Sequence, residues 1–262
     1  MSEARPLLST PDLLAVNGRA SNLSTTPRLF VDLDLSVGGE LTLPTAASHY
    51  LTQIMRRSPG DRVRLFDDRS GEYAATVVVP HRKATLVRLD ARLSPREAVA
   101  DLWLCAAPLK RGRIDWVAEK ACELGVARFV PVTTARTVVD KLNVDRLRAH
   151  MVEAAEQCGR TALPMLAAPV TLAALLAAWE ADRTLIFADE TGGAPLAATL
   201  RAIAAPCAVL IGPEGGFTPD ERAAIRALPQ TVAVGLGPRI LRADTAAVTA
   251  IAVWQAVVGT AL

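Results

Sequence analysis

Two glycine clusters carry the chemistry this sequence can offer. Leu210-Ile211-Gly212-Pro213-Glu214-Gly215-Gly216-Phe217 directly follows the apolar run from Cys207, and Gly235-Leu236-Gly237-Pro238-Arg239-Ile240 follows a second apolar run. Glycine lets backbone N–H and C=O groups come close to a ligand, so such loops at strand ends suit a small-molecule site. The expected ligand carries little phosphate. No Lys and hydroxyl follow Gly212 as G-x-x-x-x-G-K-[ST] demands for phosphates and magnesium, and the second cluster lacks the third glycine of a dinucleotide fingerprint. ATP hydrolysis and NAD binding are disfavoured; an adenosine-like cofactor fits. The bland alternative is that these glycines only turn the chain.

The other chemically competent residues form no constellation. His49, His81 and His150 are scattered, as are Cys105, Cys122, Cys158 and Cys207, with no metal-ligand or Ser/His/Asp spacing. No metal is expected, and the cysteines read as reduced core residues. The net charge is only +2, yet residues 27 to 113 carry 14 basic and 10 acidic side chains against 13 and 15 in residues 114 to 262. A weakly basic front half therefore precedes an acidic back half. The uncharged run from Thr245 to Leu262 is long enough to be tested as a membrane span, but Ala, Thr, Gln255 and Gly259 dilute it. It reads as a buried or subunit-facing helix. The N-terminus lacks a basic start and an apolar core, so a cytoplasmic location is expected.

The elements that position the glycine loops emerge from periodicity. Residues 1 to 26, rich in Ser, Thr, Pro and Asn, read as a flexible extension. Strands are expected at Arg28 to Val31, Arg62 to Phe66, Glu72 to Val79 and Ala84 to Leu89, with a helix from Ala46 to Arg57 and a hairpin turn at Asp68 to Gly71. Short strands with one helix suggest a small β-barrel over residues 27 to 94. From residue 95 to 262 strands and helices alternate. Strands are expected at Leu102 to Ala106, Arg128 to Val132, Thr184 to Ala188, Ala208 to Ile211 and Thr231 to Leu236. The helices are Arg113 to Leu124, Val144 to Cys158, Leu172 to Trp179, Leu196 to Ile203, Pro219 to Leu228 and Thr245 to Val258. Repeated βα units imply a parallel sheet covered on both faces, an α/β fold. Its ligand sits at the C-terminal strand ends, where both glycine loops fall, on strands read as neighbours.

"LIGPEGGFTPDE" (Leu210 to Glu221) together with "VGLGPRILRADTAAVTA" (Val234 to Ala250) resembles the RsmE family of SPOUT methyltransferases. "HYLTQIMRRSPGDRVRLFD", "PLKRGRIDWVAEKACELGV" and "EAAEQCGRTALP" are similar to the family's stretches in corresponding order. The resemblance implies methylation of N3 of a uridine in 16S ribosomal RNA, with S-adenosylmethionine as cofactor. It also implies a homodimer acting on 16S rRNA or the small ribosomal subunit. The implied fold is a PUA-like β-barrel followed by a SPOUT α/β domain with a deep C-terminal trefoil knot. Knots depart from a strong general rule.

The same resemblance assigns the cofactor to Glu190, Gly212, Pro213, Glu214, Gly215, Leu236, Gly237, Ile240, Leu241 and Thr245. The catalytic assignment falls on Arg242 and Asp244. Where the family has Arg-Thr-Glu-Thr-Ala, the chain has Arg242-Ala243-Asp244-Thr245-Ala246, losing one hydroxyl and one methylene. Asp244 reads either as a general base or as the N-cap of the last helix, with Glu214 and solvent as other bases. Arg242 would hold the uridine or its developing charge, or else form a structural salt bridge. Arg28, Arg56, Arg57, Lys110, Arg111 and Arg113 are candidate phosphate contacts, against the plain reading of solvated surface charge. Two rival functions remain: a knotted methyltransferase for another RNA or base, and an RNA-binding homologue without activity.

Overall fold

The computed structural model describes residues 26–110, 112–139 and 141–259. The extension expected over residues 1 to 26 lies outside this range but for its last residue, and so does Arg111. The chain divides into two compact units, Met1–Arg96 and Glu97–Leu262.

The first unit is built on β1 (Arg28–Phe30), β2 (Glu40–Thr42), β3 (Arg62–Phe66), β4 (Gly71–Val79) and β5 (Leu86–Pro95). They pair in the order β1-β3-β4-β5-β2, with β1 and β3 parallel and the others antiparallel. The expected barrel is thus a five-stranded sheet whose edge strands β1 and β2 do not pair with each other among the described residues. Alternation places Tyr73, Ala75 and Val77 of β4 on the core side, packed with Val63, Leu65, Val87 and Leu89. The hairpin turn before β4 is closed by buried Asp67, whose carboxylate accepts from the backbone N–H of Arg69 (3.1 Å), Ser70 (2.5 Å) and Gly71 (3.0 Å). Burial alone would raise its pKa; the Ser70 and Gly71 hydrogen bonds outweigh this and hold it below the usual carboxylate value.

Two expectations are corrected in this unit. The helix read as continuous from Ala46 to Arg57 is α1 (Thr45–His49) widening into a π-turn at Tyr50–Ile54, and it ends before Arg56, whose φ is +50°. Arg28 is not a phosphate contact on the surface. Its Nε donates to Glu72 at 2.9 Å, its guanidinium lies 3.7 Å from the Phe66 ring centroid, and only 7% of the residue is exposed. Arg56 is exposed and Arg57 half-buried.

In the second unit β6 (Leu102–Ala106), β7 (Arg128–Thr133), β8 (Met165–Leu166), β9 (Val170–Thr171), β10 (Thr184–Ala188), β11 (Ala194–Pro195), β12 (Cys207–Ile211) and β13 (Thr231–Gly235) form one parallel sheet. Its order is β11-β13-β10-β12-β6-β7-β8, with β9 on β7. The helices are α2 (Arg113–Glu123), α3 (Val144–Cys158), α4 (Leu172–Ala177), α5 (Leu196–Leu200), α6 (Pro219–Ala227) and α7 (Ala243–Val257). Most expected elements match within two residues, while α4 and α5 stop two and three residues early. Strands of two or three residues, β2, β8, β9 and β11, are too short to show a period and were not anticipated. The sheet core is apolar, with Val130, Leu185, Phe187, Ala208, Leu210 and Phe217 at its centre.

Local chemistry fixes the helix ends. Asn143 accepts from the Arg146 N–H at the start of α3, and Thr218 with Glu221 forms a reciprocal capping box before α6, with Pro219 at its first position. Buried Arg160 donates to the carbonyls of Cys122 (2.6 Å), in the last turn of α2, and Val126 (2.7 Å), just past its end. Three cysteines are buried as expected and all four are free, but Cys158 is exposed at the last position of α3. Burial pushes the Cys105 and Cys122 thiols up to about 12.

Candidate active site

The sheet order changes what the glycine loops enclose. β12 and β13 are not neighbours, as the sequence suggested; β10 lies between them. The cavity at their C-terminal ends therefore has three walls: the Gly212–Phe217 loop after β12, the Asp189–Gly193 loop after β10, and the Leu236–Arg242 segment after β13. Chain order reverses across these strands, and such switch points open crevices. The cavity measures about 450 Å³, within the usual range for small-molecule sites.

Of the expected cofactor residues, Glu190, Gly212, Pro213, Glu214, Leu236, Gly237, Ile240 and Leu241 line this space. Gly215 and Thr245 do not. A Cβ on Gly215 would meet Arg136 at 3.3 Å, and the Gly215 carbonyl accepts from Arg136 Nη1 at 2.7 Å. That glycine faces the neighbouring Arg136 segment instead of the cavity. Thr245 is exposed within α7, and its N–H donates to Asp244.

Two other glycines make the close approaches. A Cβ on Gly212 would sit 2.7 Å from the Phe217 ring, which packs edge-on against Phe187 with centroids 5.4 Å apart. Gly216 has φ +65°, and a Cβ there would lie 2.5 Å from Glu190 Oε1.

The catalytic candidates separate. Arg242 lines the cavity, is exposed, and forms no ion pair among the described residues. It occupies the N-cap position of α7 without a side-chain cap. Asp244 is therefore not the N-cap: it lies in the first helical turn, where its charge suits the helix dipole. Its carboxylate accepts from Arg113 Nη1 at 2.7 Å, and it is not among the residues lining the cavity. Arg113 is accordingly committed to an ion pair, whereas Lys110 is exposed.

A cluster that sequence reasoning missed stands beside Glu190. The Asp189 carboxylate, 0% exposed, accepts from Arg226 Nη2 at 2.6 Å, from Arg222 Nη1, and from the backbone N–H and hydroxyl of Thr191 at 2.9 and 2.8 Å. The ADET tetrapeptide holds the acid in sequence, but its arginines lie more than thirty positions on, in α6. Only the fold brings them together.

Residues 95–255 match the model of a family described as an RNA methyltransferase domain, and residues 43–90 match an RNA methyltransferase PUA domain. The ribosomal RNA small subunit methyltransferase E of Synechocystis is 30% identical over 253 residues, 93% of this chain and 82% of that protein. The chain belongs to the RsmE family. The RsmE protein of Rickettsia conorii is 28% identical, across 86% of this chain and 93% of its own. Two solved structures share the fold at TM-score 0.79, covering 88% of this chain and 97% of theirs. One is a methyltransferase of Legionella pneumophila in complex with SAM, 29% identical; the other is the RsmE protein of Neisseria gonorrhoeae bound to S-adenosyl methionine, 26% identical. Among the described residues no helix is long and apolar enough to cross a membrane, and no three metal-ligating side chains cluster.

In this RsmE-family chain the Asp189 cluster has a pH signature. Burial would raise the Asp189 pKa, but the Thr191 and Arg226 hydrogen bonds and the Arg222 charge outweigh it and hold the acid below the usual value. A depressed folded pKa gives stability that is fully present above the unfolded value near ~4 and is lost as pH falls through the folded one. Calorimetric melting between about pH 2 and pH 6 should therefore show the wild type losing more on acidification than Asp189→Asn, which starts less stable. Parallel pH curves for the two proteins would refute the assignment.

Proposed function

We propose that the chain transfers the methyl group of S-adenosylmethionine to N3 of a uridine in 16S ribosomal RNA. The observation that carries this reading is the three-walled cavity at the strand ends, in a chain of the RsmE family whose solved relatives bind that cofactor. The donor set fits the group. Backbone at Gly212 and Gly237 permits close approach, Leu236, Ile240 and Leu241 offer apolar surface to a purine, Glu190 offers a carboxylate, and no phosphate cradle is present. Bound there, S-adenosylmethionine supplies an electrophilic methyl on a sulfonium that departs as a neutral thioether.

What the chain itself does is mostly positioning. The exposed Arg242 guanidinium, on the cavity wall, holds the uridine and stabilises the negative charge that develops as N3 loses its proton. Glu214, also on the wall and without an ion pair among the described residues, or solvent, accepts that proton. Asp244, tied to Arg113, holds the N-terminal end of α2 against α7 and does not act as the base. Because N3 lies on the Watson–Crick edge, the uridine must be unpaired or flipped. Exposed Arg56 and Lys110, with half-buried Arg57, are the phosphate contacts in this reading.

Assembly and topology complete the proposal. Ala243, Ala247, Ala250, Ile251 and Trp254 bury one face of α7, while the apolar Val248, Val253 and Val257 remain partly exposed. These partly exposed valines, which flank the buried stripe, suit contact with a partner subunit in a homodimer; sedimentation of an active monomer at micromolar concentration would exclude it. After β13, α7 packs on β6 and β12, beyond β10. That return path is the support for a trefoil knot. The function itself is tested by mass-spectrometric mapping of 16S rRNA from cells lacking the gene. One 3-methyluridine should disappear and return with the cloned gene; an unchanged modification set would sink the reading.

A further inference from the structure

Glu190 lines the cavity with a half-exposed carboxylate, and groups from outside its own loop limit where that carboxylate can lie. Its carboxylate sits where a side chain on residue 216 would begin: a Cβ there would be 2.5 Å from Oε1. Gly216 also has φ +65°, a backbone region that disfavours any Cβ. From the other side Arg222 Nη2 reaches the same Oε1 at 3.4 Å. Arg222 is itself held: Nη1 bonds the fully buried Asp189 and the Thr191 hydroxyl (2.7 Å), and Arg226 secures the far oxygen of Asp189 at 2.6 Å. The Glu190 side chain remains 48% exposed toward the cavity it lines.

We propose that Arg222 and Gly216 are positioning residues that aim the Glu190 carboxylate at the vicinal diol of the cofactor's ribose. This rests on the methyltransferase reading above and adds to it the group recognised and the residues that set its recognition. The chemistry selects a diol over a cation. Asp189 and Glu190 carry two negative charges, and Arg222 and Arg226 two positive ones, so the cluster is balanced and has no surplus charge for an ammonium or sulfonium. A carboxylate is acceptor-only and can take two hydroxyl donors side by side, as an acidic residue does for ribose in dinucleotide folds. The Arg222 contact keeps the second oxygen turned to the cavity. Without Arg222 the carboxylate has rotamer freedom to lose on binding.

Calorimetric titration of the full chain with S-adenosylhomocysteine and with its 2′-deoxy and 3′-deoxy forms tests this. The wild type should prefer the parent nucleoside over at least one deoxy form by about tenfold or more, the scale of a charged hydrogen bond. Arg222→Ala should bind the parent about tenfold more weakly and discriminate by no more than about twofold. In turnover the loss should fall on KM for S-adenosylmethionine, with kcat near the wild-type value. Glu190→Gln and Gly216→Ala should lose discrimination in the same way, the latter because its methyl displaces the carboxylate with the arginines intact. Should Arg222→Ala fail to fold after unpairing Asp189, Arg222→Lys keeps the charge but lacks the fork that spans two carboxylates, and must show the same lost discrimination. A folded Arg222→Ala or Arg222→Lys with wild-type discrimination overturns the inference. So does a wild type that binds parent and deoxy nucleosides alike, which leaves the methyltransferase reading standing; a wild type that binds neither removes both.

Discussion

Arg242→Ala should slow methyl transfer on the order of a hundredfold, about 3 kcal/mol, while leaving S-adenosylmethionine affinity close to the wild-type value. The expectation rests on where the residue stands. Its backbone is the N-cap of α7, held by the helix that follows, while its side chain is exposed on the cavity wall with no ion pair among the described residues. A guanidinium so placed is available to the acceptor base and makes its strongest contact once N3 carries negative charge, so its removal lowers kcat. Arg242→Lys should recover only part of the rate, because an ammonium lacks the planar fork. Primer extension reads the product directly, since a methyl on N3 blocks base pairing. A folded Arg242→Ala that methylates at the wild-type rate would make Arg242 an ordinary surface charge.

Gly212→Val should weaken cofactor binding on the order of a hundredfold, by a route that involves no lost hydrogen bond. The new Cβ would stand 2.7 Å from the Phe217 ring, and that ring is buried and packed edge-on against Phe187 in the sheet core. Neither can yield cheaply, since overfilling a packed core costs about 1–3 kcal/mol. The Gly212–Phe217 loop must move, and it is one wall of the cavity. Gly215→Ala is the control: its Cβ would meet Arg136 Cβ at 3.3 Å, a contact away from the cavity that asks the neighbour to shift by only a few tenths of an ångström. Its affinity should stay within about threefold of wild type, since surface changes stay within about 0.5 kcal/mol. Calorimetry on both variants decides. If Gly215→Ala loses the cofactor and Gly212→Val keeps it, the roles of the two glycines are reversed.

Gly212 and Gly215, both expected at the cofactor, part company in the fold, and that separation shows how far the sequence reaches. Periodicity alone placed β6, β10 and α3 with the bounds they have, because their apolar spacing is dictated by the sheet and helix faces they bury. The glycine runs located the loops after β12 and β13, because a glycine run at a strand end is a local signal, and eight of the ten cofactor residues expected from the family resemblance line the cavity. The change from short strands to alternating strands and helices set the expected boundary after residue 94, and the folded chain divides after Arg96. Which glycine meets the cavity is not local: it depends on what stands opposite, Phe217 for Gly212, Glu190 for Gly216, Arg136 for Gly215. Sequence also could not place β10 between β12 and β13, since parallel pairing is set by crossovers of many residues. That insertion brings the Asp189 loop into the cavity and against Arg222 and Arg226, and turns two glycine turns into a three-walled site. The same holds for charge. Arg28 and Arg113 look like free cations in the chain, and only packing shows Glu72 and Asp244 already neutralising them. Residue type is written in the sequence, but the partner of a buried or paired side chain comes from a distant segment, and only the folded chain chooses it.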